Sequence, residues 1–156
     1  MDSQFENKLY KRFPDLYRER TAPLESSKMG WGVQCGNGWY KIIYELSQKI
    51  EKISASGEHS PAISEIARHE DGTLHVEVRN LTPPIADLIT TARERSRLTC
   101  EYCSYSPAFL REMKGAKEQH IACGRCLNKF AGKGKPPQKK RKQKPRRASD
   151  VMVVKR

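Results

Sequence analysis

No stretch of this 156-residue sequence approaches the roughly 20 consecutive apolar residues that cross a bilayer, and its opening residues, Met1 to Glu6, lack the basic and apolar regions of a secretory signal. Both absences argue against a membrane partner and predict a chain that stays where it is made. Apolar residues are scarce throughout: 37% are hydrophobic and 8% aromatic, with a mean hydropathy of −0.79. That supply builds a core only if part of the chain stays outside it. Acidic residues are nearly missing from one end. Residues 127 to 156 hold 12 Lys and Arg against the single acid Asp150, so they carry a net +11 of the total +12. From Ala131 onward there is no aromatic residue, and Lys, Arg, Pro and Gln dominate. No core there can offset the ordering entropy of about 1 to 2 kcal/mol per residue, which predicts a disordered tail. Only Val151 to Val154 interrupts that composition, as four apolar residues able to add a strand to a partner. Disulfides also lack support, because the five cysteines are an odd number and four of them form two CxxC pairs. That pattern predicts metal binding in a reducing compartment, the cytoplasm.

Ser3, Phe5 and Glu6 open on a capping-box pattern, and Phe5, Leu9 and Phe13 follow at helical spacing until Pro14. Residues 14 to 30 show no periodicity and read as a loop. Trp31, Val33 and Cys35 alternate as a short strand, and Gly36, Asn37 and Gly38 supply a turn and a helix cap. The strongest periodicity is at residues 38 to 54, where Trp39, Ile42, Ile43, Leu46, Ile50 and Ile53 form one apolar stripe. A polar linker leads to a hairpin with arms near Ile63 to Arg68 and Leu74 to Arg79, turning at Glu70, Asp71 and Gly72. The three-residue spacing of Ile63 and Ile66 suits a bulge or a helical turn in the first arm. Pro84 suits the first turn of a helix running to Arg97, with Ile85, Leu88, Ile89 and Ala92 as its apolar face.

Chemistry concentrates at Cys100 and Cys103 and at Cys123 and Cys126, two pairs separated by 19 residues. Each pair offers two thiolates from one turn, and together they suit a tetrahedral Zn²⁺. A dithiol redox motif or unmetallated cysteines are the competing readings. With four sulfur ligands no position remains for an activated water, so one structural zinc is expected, ordering a segment too poor in apolar residues to fold alone. His120, three residues before Cys123, reads as a partly exposed loop residue, with ligation the alternative. Cys35 reads as a small buried hydrophobe. The segment Gly36 to Gly38 could expose N–H groups to an anion but matches no phosphate-loop spacing. His69, Glu70 and Asp71 read as solvated turn residues. The polybasic run Lys133, Lys135, Lys139, Lys140, Arg141, Lys142, Lys144, Arg146 and Arg147 exceeds what solubility needs and predicts a polyanion contact blind to sequence. Specificity would then come from Tyr102, Tyr105, Phe109, Arg111, Lys114, Lys117 and Arg125 near the cysteines, unless those aromatics pack the metal module.

Residues 29 to 43, MGWGVQCGNGWYKII, resemble the "fGfeCGDGWydli" segment of small proteins encoded by phages and prophages, with Asn37 where that pattern has Asp. The run DGTLHV at 71 to 76 is similar to their "FGtLRfyv" strand, and ARERSRLTCEYC at 92 to 103 to their "aeeRSrttCevC". The likeness spans roughly residues 9 to 103 and ends before the second CxxC and the basic tail. It implies a phage-derived protein and carries no activity with it. CEYC and CGRCLNKFAGK are also similar to the zinc knuckles of HNH endonucleases, but no Asp-His pair lies between them here.

These observations predict an α+β domain at residues 1–97, a small antiparallel sheet with two packed helices. A zinc ribbon or treble-clef-like module follows at 98–130, and a disordered polybasic tail at 131–156. The expected function is that of a non-enzymatic, nucleic-acid-binding regulator or accessory factor, acting on nucleic acid or on a machine such as the transcription complex. A protein-binding effector that inhibits or redirects a host enzyme is the first alternative and a degenerate HNH-like nuclease the second. In a eukaryote, Pro136 to Lys142 would suit nuclear import.

Overall fold

The computed structural model describes residues 1–55, 60–112 and 119–131. The elements are α1 (Ser3–Arg12), α2 (Tyr40–Ser54), β1 (Ala62–Arg68), β2 (Leu74–Arg79), α3 (Pro83–Arg97), β3 (Phe109–Glu112), β4 (Gln119–Ala122) and α4 (Gly124–Ala131). Three 3₁₀ turns lie at Arg18–Thr21, Lys28–Trp31 and Asn37–Trp39. The architecture is α+β, with β1 and β2 forming one two-stranded antiparallel sheet and β3 and β4 another. The predicted tail residues from 132 onward lie outside the described residues, as do Lys114 and Lys117.

The apolar stripe of α2 is buried at Ile42, Ile43, Leu46 and Ile50, and α3 packs against α2 and β2. Ser96 of α3 accepts a hydrogen bond from the Leu74 N–H at 2.9 Å, which ties the helix to the start of β2. The hairpin forms as expected, with Ile66 opposite Val76, and the irregular spacing resolves as a bulge between Ile63 and Glu65.

Two expectations are corrected. α1 forms, but its N-cap is Asp2 with no side-chain cap, and Glu6 turns inward. Its Oε1 accepts from the Val33 N–H at 3.0 Å. A buried, unpaired N–H costs about 1 to 3 kcal/mol, whereas the N–H groups at an exposed helix start can be satisfied by water, so the carboxylate goes where its bond is worth more. Residues 31 to 35 are not a strand. Gly32 adopts φ +75°, Trp31 sits in a 3₁₀ turn with 49% of its surface exposed, and only Gln34 pairs, in a parallel bridge with Ala67. Val33 and Cys35 are nevertheless buried. The segment at 14 to 30 is irregular as read, yet Leu16, Tyr17 and Met29 from it belong to the core. The buried Tyr17 hydroxyl is satisfied by Ser47 Oγ at 2.9 Å.

Candidate metal centre

Cys100 and Cys103 stand on the turn after α3, and Cys123 and Cys126 on the passage from β4 into the first turn of α4. The first turn is held by the Cys100 N–H on the Tyr105 carbonyl at 2.8 Å and the Ser104 N–H on the Cys100 carbonyl at 3.0 Å. Ser104 takes φ +64° to make it. The Glu101 N–H donates to the Ile121 carbonyl at 2.9 Å, bringing the two turns together. All four sulfurs lie within 4.8 Å of one another, with Cys103 Sγ and Cys123 Sγ 3.6 Å apart. Zn–S bonds of about 2.3 Å at tetrahedral angles put sulfurs about 3.8 Å apart.

The donor set is also chemically suited to a cation. The Cys126 N–H, at the start of α4, brings the Cys123 thiol down to about 7, while burial pushes Cys103 and Cys126 up. Four adjacent thiols cannot all ionise unless positive charge compensates them, and a bound divalent ion supplies it. Cys100, Cys103, Cys123 and Cys126 can therefore hold a metal ion. Cys35 is apart from them, and burial pushes its thiol up to about 12, as suits a core residue.

Residues that the sequence reading left unassigned join this centre to the rest of the fold. Glu101, between the first two cysteines, is 1% exposed. Its Oε1 accepts from Arg68 Nη1 at 2.9 Å and from the Gly36 N–H at 2.9 Å, and its Oε2 lies 3.3 Å from His120 Nδ1. Burial opposes its charge, but His120 and Arg68 outweigh burial and hold its carboxyl below the usual range. His120 is thus neither a loop residue in solvent nor one of the clustered ligands. It is buried, its ring stacks on Tyr102, and its Nδ1 lies 2.7 Å from the Tyr102 hydroxyl.

Gly36, Asn37, Gly38 and Trp39 are the receptor for this turn, not an anion cradle. The Gly38 N–H donates to the Glu101 carbonyl at 2.7 Å, Ser104 Oγ donates to the Gly38 carbonyl at 2.7 Å, and Trp39 Nε1 donates to the Thr99 carbonyl at 2.8 Å. At the two glycines the contact is backbone against backbone. A Cβ on Gly36 would fall 2.3 Å from the Glu101 oxygen, and one on Gly38 would fall 2.1 Å from the Cys100 oxygen. Asn37 faces away and exchanges bonds of 2.8 Å with Asp2.

Of the basic residues expected to contact nucleic acid, the structure describes Arg111 and Arg125, both exposed. The Arg125 guanidinium lies over the Tyr105 ring at 5.6 Å, and that of Arg111 over the Phe109 ring at 5.7 Å. Lys133, Lys135, Lys139, Lys140, Arg141, Lys142, Lys144, Arg146 and Arg147 lie outside the described residues. Asp71 proves more than a solvated turn residue. It accepts from the Thr73 N–H and hydroxyl and from Arg93 Nη2, which pins the hairpin turn to α3. No helix among the described residues is long and apolar enough to cross a membrane. No family model, curated protein or solved structure matches the chain.

Proposed function

We propose that the chain is a zinc-stabilised nucleic-acid-binding protein of phage type, a regulatory or accessory factor working on nucleic acid in the reducing cytoplasm of a bacterial host. In this reading Cys100, Cys103, Cys123 and Cys126 hold one structural Zn²⁺, and the order of knuckle, hairpin and helix supports a treble-clef-like module. The zinc supplies rigidity and no chemistry, since a four-sulfur donor set leaves no position for an activated water. The observation that carries the reading is the four-sulfur cluster followed by a segment of net +11 over residues 127 to 156. The run from Lys133 to Arg147 neutralises phosphates, and Arg111 and Arg125 extend the same charge onto the folded module.

Fluorescence anisotropy of zinc-loaded protein on labelled DNA and RNA tests it. If about 6 to 10 phosphates are contacted, affinity falls by roughly 10³ to 10⁵ between 50 and 200 mM salt. Replacing Lys139, Lys140, Arg141 and Lys142 with Gln lowers both the affinity and the steepness of its salt dependence. Absence of binding to either nucleic acid at low salt overturns the reading and returns the effector alternative.

A further inference from the structure

The aromatic side chains of the metal module divide into two kinds. Tyr102 is committed to the fold, with its ring on His120 and its hydroxyl bonded. Tyr105 and Phe109 are not, with 48% and 55% of their surface in solvent. Leaving two aromatic rings exposed forfeits burial free energy that a chain this poor in apolar residues would otherwise use. Each carries a guanidinium over its ring, Arg125 on Tyr105 and Arg111 on Phe109. Among the described residues neither arginine has a carboxylate partner, whereas Arg68, Arg79, Arg93, Arg95 and Arg97 each have one. The positive charge beside the two rings is therefore uncompensated within the described fold.

The backbone of each ring residue is held beside the cysteines, that of Tyr105 by its carbonyl on the Cys100 N–H and that of Phe109 by its place in β3. Tyr105 and Arg125 line an open concavity with Cys103, Ser104 and Cys126, directly on the metal centre. Phe109 begins β3 opposite Ala122, the residue before Cys123. Tyr105 and Phe109 stand four positions apart in the chain, at most about 14 Å between their backbone positions, a span that neighbouring nucleotides of one strand cover.

An exposed ring with an attached cation matches an unpaired nucleobase with its phosphate. The ring stacks on the base face, the arginine pairs with the backbone, and stacking tolerates any sequence. In a duplex those base faces are already occupied. Resting on the function proposed above, we propose that Tyr105 with Arg125 and Phe109 with Arg111 form a stacking platform for unpaired bases, so that this protein prefers single-stranded nucleic acid to duplex. The tail, without aromatic residues, adds affinity for both forms and separates neither.

The test is anisotropy of the full-length, zinc-loaded protein on one mixed-sequence oligonucleotide at fixed salt, as single-stranded DNA, as the same sequence in RNA, and as DNA duplex. Wild type binds at least one single strand more tightly than the duplex, and the better of the two identifies the natural source. Tyr105→Ala and Phe109→Ala each weaken that single-strand binding by roughly 5- to 150-fold, the loss of one stacked base, and leave duplex binding unchanged. Tyr105→Phe and Phe109→Tyr retain it. Zinc content and circular dichroism equal to wild type show that the alanine variants are folded, as expected for exposed side chains. Equal or tighter duplex binding by wild type overturns the proposal. So does single-strand affinity indifferent to both alanine substitutions, the result a protein-docking face would give. Either outcome leaves the nucleic-acid reading standing, whereas no binding to any of the three ligands overturns both.

Discussion

Gly38→Ala is the sharpest perturbation of the junction between the metal centre and the body. The added methyl would fall 2.1 Å from the Cys100 oxygen and 2.6 Å from the Glu101 carbonyl carbon, where real Cβ contacts do not come under 3.0 Å. Both obstacles are backbone, so no rotamer change relieves them, and the turn must retreat by about 1 Å to restore ordinary contact. That retreat stretches the Gly38 to Glu101 bond of 2.7 Å, the Ser104 to Gly38 bond of 2.7 Å and the Trp39 to Thr99 bond of 2.8 Å. At about 1 kcal/mol for each hydrogen bond, and more where a buried group is left unpaired, the loss is about 3 to 5 kcal/mol, a large share of the 5 to 15 typical of a domain. Urea unfolding of the zinc-loaded protein, followed by circular dichroism, reads it directly. Because the moved carbonyl belongs to Cys100, one of the four clustered cysteines proposed to hold zinc, chelator competition is expected to show zinc held more weakly than in wild type. Gly124→Ala is the control, since nothing lies within 4 Å of a Cβ there. It changes stability by less than about 1 kcal/mol. A Gly38→Ala protein as stable as wild type, with unaltered zinc affinity, refutes the argument that this glycine exists to admit the knuckle.

Further outcomes follow from the same contacts. Glu101→Gln keeps the shape but removes the charge that faces Arg68 and His120, and it lowers stability by about 3 kcal/mol. A denaturation midpoint equal to wild type would show that the buried charge is dispensable. Partial burial of Asp71 opposes its ionisation, but its bonds from Thr73 and Arg93 prevail and hold its carboxyl below the usual range. A folded-state value below the unfolded one contributes stability that is present above about pH 4 and lost as pH falls through the folded value. The stability of Asp71→Asn therefore depends less on pH below about 4 than that of wild type, a difference that acid titration of the unfolding midpoint detects. With its thiol pushed up to about 12 by burial, Cys35 resists iodoacetamide in the folded, zinc-loaded protein. Mass spectrometry then finds no adduct until denaturant and chelator expose all five cysteines; prompt labelling of Cys35 would contradict its burial.

Where local pattern decided structure, the sequence was readable. The α2 stripe has one helical period, the turn at Asp71 and Gly72 joins two alternating arms, and the paired CxxC spacing announces a four-sulfur cluster. What could not be read were choices settled by partners distant in the chain. A Ser-x-x-Glu pattern looks the same whether Glu6 caps its own helix or turns inward, and the Val33 N–H decides between them. Gly36 and Gly38 read locally as a turn, because the Cys100 and Glu101 backbone they admit is more than 60 residues away. Glu101 carried no signal between two cysteines, since the metal spacing is indifferent to the residue it encloses. Tyr102 and Tyr105 are alike in the sequence, and only His120 behind Tyr102 separates the ring that packs from the ring that faces solvent.

We propose that four cysteines grip one zinc ion and that the body of the fold closes around the turn they make. A chelator titration, with released zinc and far-ultraviolet circular dichroism read in parallel on the same sample, tests it most directly. One zinc per chain is expected, with the helical signal of the body falling in step with its release. Protein that holds no zinc, or that gives up its zinc with the signal intact, would contradict it.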